Sequence, residues 1–225
     1  QTLLFSATIP PSIKGTVDAM LTDPVTIEIA RVGQTAETVE EHLCPVVQSQ
    51  KIQLLEVLLN TGGASGERPD RVLVFCRTKR RADDLEKHLK KTGIKVDVMH
   101  ADRPQKARER ALESFRGGKV QVLVATDVMS RGIDVSGIDA VVNFDVPMDP
   151  EDYVHRIGRT GRAGATGHAY TFVAPDEITP LREIEYFTRK LVPLWELAGF
   201  DYDETRIVPN DHRSTTKPTR NLFSG

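Results

Sequence analysis

Val120-Gln121-Val122-Leu123-Val124-Ala125-Thr126-Asp127 is apolar with almost no alternation and ends abruptly in a hydroxyl and a carboxylate. A strand with one wet face alternates apolar and polar residues, whereas a run like this one must be covered on both faces, as strands of parallel sheets are. The pattern recurs at 140–144, followed by Asp145, and at 71–76, followed by Arg77-Thr78. Strands 96–100 and 168–173 complete the set, and 42–47 is a candidate first strand. Between them the apolar spacing turns helical. Residues 79–91 form an amphipathic stretch ended by Gly93, and 104–116 starts at Pro104 and stops at Gly117-Gly118. Residues 51–59 and 180–190 also read as helices, and 149–156 opens on Asp149-Pro150, a cap and first-turn pair. Strands alternating with helices predict an α/β fold, a doubly wound parallel sheet with helices on both faces. Ligands of such sheets bind beyond the carboxyl ends of the strands. Residues 76–78, 100–102, 126–127 and 145 fall there directly.

The first thirty residues follow a different logic. Residues 1–8 read as a buried strand that delivers Ser6-Ala7-Thr8, followed by a helix with Ile13, Val17, Met20 and Leu21 on one face. Asp23-Pro24 stops that helix, and 25–29 alternates as a short strand. A piece this small cannot bury its own apolar faces. With Gln1 leading straight into a strand, the chain is expected to be a fragment of a longer polypeptide. The expected division is 1–30 as the end of one domain, 31–47 as a linker, 48–208 as a second domain and 209–225 as a disordered tail. The orphan strands could be disordered, pack back on the second domain or pair between copies. Pairing through residues 1–29 is the expectation, because it satisfies the backbone edge and the apolar face together.

The 30 Lys and Arg against 32 Asp and Glu give a net charge of −2, so any nucleic-acid site is a local basic surface. Cys44 and Cys76 are far apart, and Cys76 sits in an apolar run, so reduced thiols and a cytoplasmic location are expected. Without an apolar run of roughly 20 residues, no membrane partner is expected. The 6 histidines show no metal-ligand spacing along the sequence, so no metal site is expected. Trp195 and Phe200 read as cover for a sheet edge.

The densest cluster of charge is His155-Arg156-Ile157-Gly158-Arg159-Thr160-Gly161-Arg162. So many guanidinium groups need an anion, and the arginine fork suits phosphate oxygens bidentately. This run resembles motif VI of the DEAD-box RNA helicases. Ala125-Thr126-Asp127 with Arg131-Gly132-Ile133-Asp134 resembles motif V, and Ser6-Ala7-Thr8 motif III. Leu73-Val74-Phe75-Cys76-Arg77-Thr78 is similar to motif IV, and Gln105-Lys106-Ala107-Arg108 to the element beside it. The matches occur in family order. They imply that 48–208 is the second RecA-like helicase domain and 1–30 the end of the first. The segment 184–203 is similar to the exit from the core in bacterial helicases of the RhlE type.

The resemblance implies roles residue by residue. Arg159 and Arg162 would sense the γ-phosphate of ATP, with Arg162 as the arginine finger, a role worth ~10³–10⁵ in rate. Asp134 would accept a hydrogen bond from the nucleotide ribose. Thr78, Lys79, Arg108 and Thr126 would hold the RNA sugar-phosphate backbone without reading bases. Gln105 would orient Arg131, and His155 would relay toward Ser6 and Thr8 between domains. No Gly-x-x-x-x-Gly-Lys-Thr loop and no Asp-Glu-Ala-Asp segment occurs in the sequence. ATP and Mg²⁺ are therefore expected to be held mainly by the first RecA-like domain of the parent chain. This polypeptide alone would be inactive, supplying an RNA surface and the finger. The implied function is the carboxy-terminal half of an ATP-dependent RNA helicase that unwinds duplexes locally. The alternatives are a non-catalytic RecA-like RNA-binding adaptor and a DNA helicase of the same superfamily.

Overall fold

The computed structural model describes residues 2–5, 11–27, 38–127, 135–162, 166–204, 207–208 and 213–216. The chain divides into two units, residues 1–34 and 35–225. In the second unit the six strands are β1 (Val39–Pro45), β2 (Val72–Phe75), β3 (Val96–Met99), β4 (Val122–Ala125), β5 (Ala140–Asn143) and β6 (Gly167–Val173). They form one sheet in the order β1-β6-β5-β2-β4-β3, every neighbouring pair parallel. Every residue of β2, β4 and β5 is buried, which is why these strands do not alternate.

Helix α1 (Pro11–Met20) lies in the first unit; α2 (Lys51–Thr61), α3 (Lys79–Lys91), α4 (Gln105–Arg116), α5 (Pro150–Ile157) and α6 (Ile178–Thr188) lie in the second. Val72, Val74, Val122, Val124, Val142 and Phe172 point to one face, where Leu54, Leu55 and Leu58 of α2 and Leu85 and Leu89 of α3 cover them. Leu73, Phe75, Leu123 and Val141 point to the other, under Ala111 and Phe115 of α4. Tyr153 and Ile157 of α5 and Leu181 and Ile184 of α6 cover Leu43, Ala169 and Val173 on that same side. The doubly wound expectation is met.

Local chemistry fixes the helix ends that matter for the site. The Thr78 hydroxyl accepts from Arg81 N at 3.2 Å and starts α3. Asp149 accepts from Glu151 N at 2.9 Å and starts α5, with Pro150 in the first turn and His155 and Arg156 in the last.

The chain steps from β2 outward to β3, returns to β4, then crosses to β5 on the far side of β2. The direction of winding therefore reverses between β2 and β5, whose carboxyl ends are Cys76-Arg77 and Phe144-Asp145. A crevice for ligands opens at such a point.

Three expectations need correction. The first strand begins at Val39 and pairs with β6 along its whole length, so 39–47 belongs to the second unit and not to a linker. Its polar start misled: Glu41 is buried because Tyr153 Oη (2.6 Å) and Lys190 Nζ (2.7 Å) both donate to it. The described residues 2–5 and 24–27 form no strand, since a strand exists only against a partner. The segment 213–216 is not a free tail: Arg213 ion-pairs with Glu185, a buried carboxylate of α6. The rest of 209–225 lies outside the described residues. Trp195 does cover a sheet edge, its backbone N–H donating to Leu43 O at 2.8 Å on the outer side of β1. Among the described residues no helix is long and apolar enough to cross a membrane.

Candidate functional site

Arg156 is the largest fully buried side chain among the described residues. Its guanidinium grips Asp127 in a fork, Nε to Oδ1 at 2.5 Å and Nη2 to Oδ2 at 2.7 Å. Nη1 donates to Asn143 Oδ1 at 3.1 Å and to Asp145 O at 2.9 Å, and the group lies over the Phe75 ring at 5.1 Å. The end of β4, the end of β5 and the last turn of α5 are thereby locked together.

Helix α5 runs back along the sheet, so the turn after it reaches the amino ends of β5, β6 and β1. Thr160, also buried, donates to Ile138 O at 2.5 Å. Gly161 takes φ +66°, and a Cβ there would lie 2.8 Å from Val39 Cγ2 and 2.9 Å from Thr38 O. Thr38 Oγ1 in turn donates to Gly161 O at 2.6 Å. Only glycine suits that conformation and approach. Arg159 donates to His155 O at 3.2 Å, and Arg162, exposed, to Gly158 O at 2.8 Å. Two arginines thus ride on a turn fixed at both ends. The position of this turn differs from the expectation that the motifs gather at the carboxyl ends of the strands.

The residues expected to face RNA do gather there. Lys79 Nζ pairs with Asp102 Oδ1 at 2.6 Å across the ends of β2 and β3, both side chains exposed. Thr78 uses one hydroxyl lone pair as a cap, and Thr126 is buried at the end of β4. Arg108, on the first turn of α4, donates to Gln105 Oε1, and Gln105 Nε2 donates to Glu109 Oε1 at 2.7 Å. Gln105 is therefore engaged within its own helix. Its expected partner Arg131 lies outside the described residues, as do Asp134, Ser6 and Thr8. His155 Nδ1 is buried and meets no hydrogen-bond partner among the described residues.

At the crevice between β2 and β5 sits a charge network that sequence reasoning missed. Lys51 is fully buried and donates to Phe144 O at 2.8 Å and Glu177 Oε2 at 2.5 Å. Burial pushes its pKa down, against the pull of Glu177 and Asp145. Glu177 also accepts from Arg77 Nη2 (2.9 Å), Val146 N (3.2 Å) and Ala174 N (3.0 Å). Asp145 accepts from Arg77 N at 2.9 Å and pairs with Arg81 Nε at 3.2 Å. The effect is to hold Arg77 and Arg81 at the sheet's carboxyl edge.

Residues 50–164 match the model of the helicase conserved C-terminal domain. The chain belongs to that family. The DEAD-box ATP-dependent RNA helicase CshA of Bacillus subtilis (strain 168) is 44% identical over 190 residues, covering 84% of this chain and 37% of that protein. Among solved structures, S. cerevisiae Dbp5 bound to RNA and ADP BeF3 matches with a TM-score of 0.73 at 29% identity, over 85% of this chain and 49% of that one. A DEAD box protein from the hyperthermophile Methanococcus jannaschii gives 0.65 at 35% identity, over 85% and 50%. The chain thus spans well under two thirds of these relatives, and the helicase domain it contains is of the DEAD-box kind. None of these relatives is named as the RhlE type expected from 184–203.

Among the described residues of this helicase domain one grouping of metal-ligating side chain types occurs. Glu40, His42 and His168 lie with ligand atoms within 4.8 Å of one another. Strand pairing brings them together, with Glu40 opposite His168 across β1 and β6. Spacing along the sequence cannot reveal a cluster made across a ladder. Arg156 was legible as charge but not as a structural fork, and nothing in the sequence marks Lys51 or Glu177 as partners.

The Arg156–Asp127 fork makes an asymmetric prediction. Arg156 has a side-chain exposure of 1% and Asp127 of 28%. A guanidinium cannot shed its charge, whereas the half-buried carboxylate still reaches water. Asp127→Ala is expected to cost about 3–5 kcal/mol by stranding a buried charge. Arg156→Met is expected to cost about 1–2 kcal/mol, the scale of lost hydrogen bonds with the stem's volume kept. Urea unfolding of both variants checks the order; equal losses would contradict it.

Proposed function

We propose that this chain is the second RecA-like domain of an ATP-dependent DEAD-box RNA helicase. In that reading it presents Arg159 and Arg162 to the terminal phosphate of ATP, and its strand ends to an RNA backbone. The observation that carries the reading is the arginine turn: Arg156, Thr160 and Gly161 are spent on fixing it, while Arg162 stays exposed. A fixed guanidinium can meet charge that develops on phosphoryl oxygens without reorganising. The nucleotide and its Mg²⁺ would be held mainly by a partner domain carrying the Gly-x-x-x-x-Gly-Lys-Thr and Asp-Glu-Ala-Asp motifs, since this sequence has neither. Asp134 would take the ribose hydroxyl. His155 would relay toward Ser6 and Thr8, the role the motif resemblance gives it. Residues 1–30 would then be the end of the first domain, with the linker ending before Val39. Buried unpaired Cys44 and Cys76 fit a reducing, cytoplasmic setting.

On the RNA side, Thr78, Lys79, Arg108 and Thr126 offer a hydroxyl and cation surface suited to phosphate and sugar. Gln105 positions Arg108 rather than touching RNA. Binding should be weak and indifferent to base sequence.

We also infer that residues 1–29 pair between copies when no first domain covers them, because Leu3, Phe5, Val25 and Ile27 are each at least 70% exposed. Light scattering should report a dimer for this chain and a monomer for one beginning at Thr38. Two monomers at high concentration would exclude the pairing.

For RNA, fluorescence anisotropy on equal-length single strands should give similar affinities. The slope of log affinity against log salt should be roughly −0.7 per neutralised phosphate. Arg108→Ala should weaken all sequences alike; strong discrimination among sequences would argue against backbone recognition.

Joined to a domain carrying the two missing motifs, the chain should support RNA-stimulated ATP hydrolysis. Arg162→Ala should lower turnover by ~10³ or more while nucleotide binding changes far less. Arg162→Lys should be nearly as poor, because an ammonium lacks the fork. Normal turnover in Arg162→Ala would remove the finger assignment, and no hydrolysis with RNA binding intact would favour the adaptor reading.

A further inference from the structure

We propose that Glu40, His42 and His168 form a binding site for a divalent transition metal of the zinc class on the β1–β6 edge of the sheet. His42 Nε2 stands 3.3 Å from His168 Nδ1, and that Nδ1 stands 3.6 Å from Glu40 Oε2. With metal–ligand distances of about 2.0–2.1 Å, two donors on one tetrahedral zinc ion lie about 3.3–3.4 Å apart. The His42–His168 spacing is that of two donors on one ion, and the three ligand atoms all lie within 4.8 Å of one another.

The backbone explains the arrangement. Glu40 and His168 are opposite each other in a parallel pair, and His42, two residues along β1, projects to the same face. The His42 ring is held by stacking on Tyr170 (centroids 4.9 Å apart, planes at 21°) and by the tilted Trp195 ring at 5.7 Å. A single proton between the two imidazoles would serve two of the three donors, whereas a metal ion satisfies all three together.

The carboxylate of Glu40 is 59% exposed, so an ion can enter from solvent, and water would complete the coordination. Two imidazoles and one carboxylate suit zinc or copper, not magnesium or calcium. An ion there would clamp β1 onto β6. That pairing carries Thr38 and Val39, which hold Gly161.

Trp195 is the single tryptophan of the chain, which makes the site self-reporting. Chain freed of metal by chelator is titrated with Cu²⁺ while Trp195 emission is followed, and Zn²⁺ binding is measured by calorimetry. Saturable quenching, reversed by EDTA, and one Zn²⁺ per chain are expected. Glu40→Gln, on the exposed member, should weaken Zn²⁺ by about tenfold, and His168→Ala by more. Circular dichroism identifies any variant that fails to fold, and Glu40→Gln carries the test should His168→Ala do so. Absence of Zn²⁺ binding by the wild type, unchanged emission with Cu²⁺, or wild-type affinity in the folded variants would each overturn the proposal.

Discussion

A single buried guanidinium organises this domain. Removing Arg156 from water is costly unless its donors are met, and they are: by both oxygens of Asp127, by Asn143 and by the carbonyl of Asp145. A lysine at that position would present a point charge and could not bridge two strand ends and a helix at once. The strand that begins the β4 motif and the helix that carries the arginine turn therefore move as one body. Two motifs far apart in sequence are mechanically one part, and the exposed Arg162 inherits its position from a residue that never meets solvent.

A second charged centre complements it on the opposite face. Lys51 and Glu177 are both fully buried, an arrangement that stabilises only when every remaining valence is filled. Backbone N–H groups of Val146 and Ala174 and the carbonyl of Phe144 fill them. Through Asp145 and Glu177 the network reaches out to Arg77 and Arg81, so interior charges set the direction of the cations at the sheet's edge. The small net charge of the chain is no obstacle to a local basic rim built in this way.

What was readable in the sequence follows from where energies are local. The runs at 71–76, 120–126 and 140–144 announce two-sided burial, and the cap at Asp149 announces a helix start, because a few neighbouring residues decide both. Glu41 hid the start of β1, since its partners Tyr153 and Lys190 are remote in sequence. For the same reason Lys51 looked like an ordinary helix residue and His42 like an isolated histidine. The arginine run revealed its charge at once. That Arg156 is inward and Arg162 outward depends on Asp127 and Asn143, which only the assembled sheet brings to it.

The order of strands also has a consequence for the time course of folding. Strands β2 to β5 lie within residues 72–143, whereas β1 must find β6 across more than a hundred intervening residues. Loop closure over that span is entropically the more demanding step, and contacts of such separation form slowly. The β1–β6 seam is therefore expected to close after the central strands have assembled. Gly161 receives its neighbours Thr38 and Val39 only when that seam closes. The turn bearing the two arginines thus takes its final form from a pairing between the two strands most distant in the sequence.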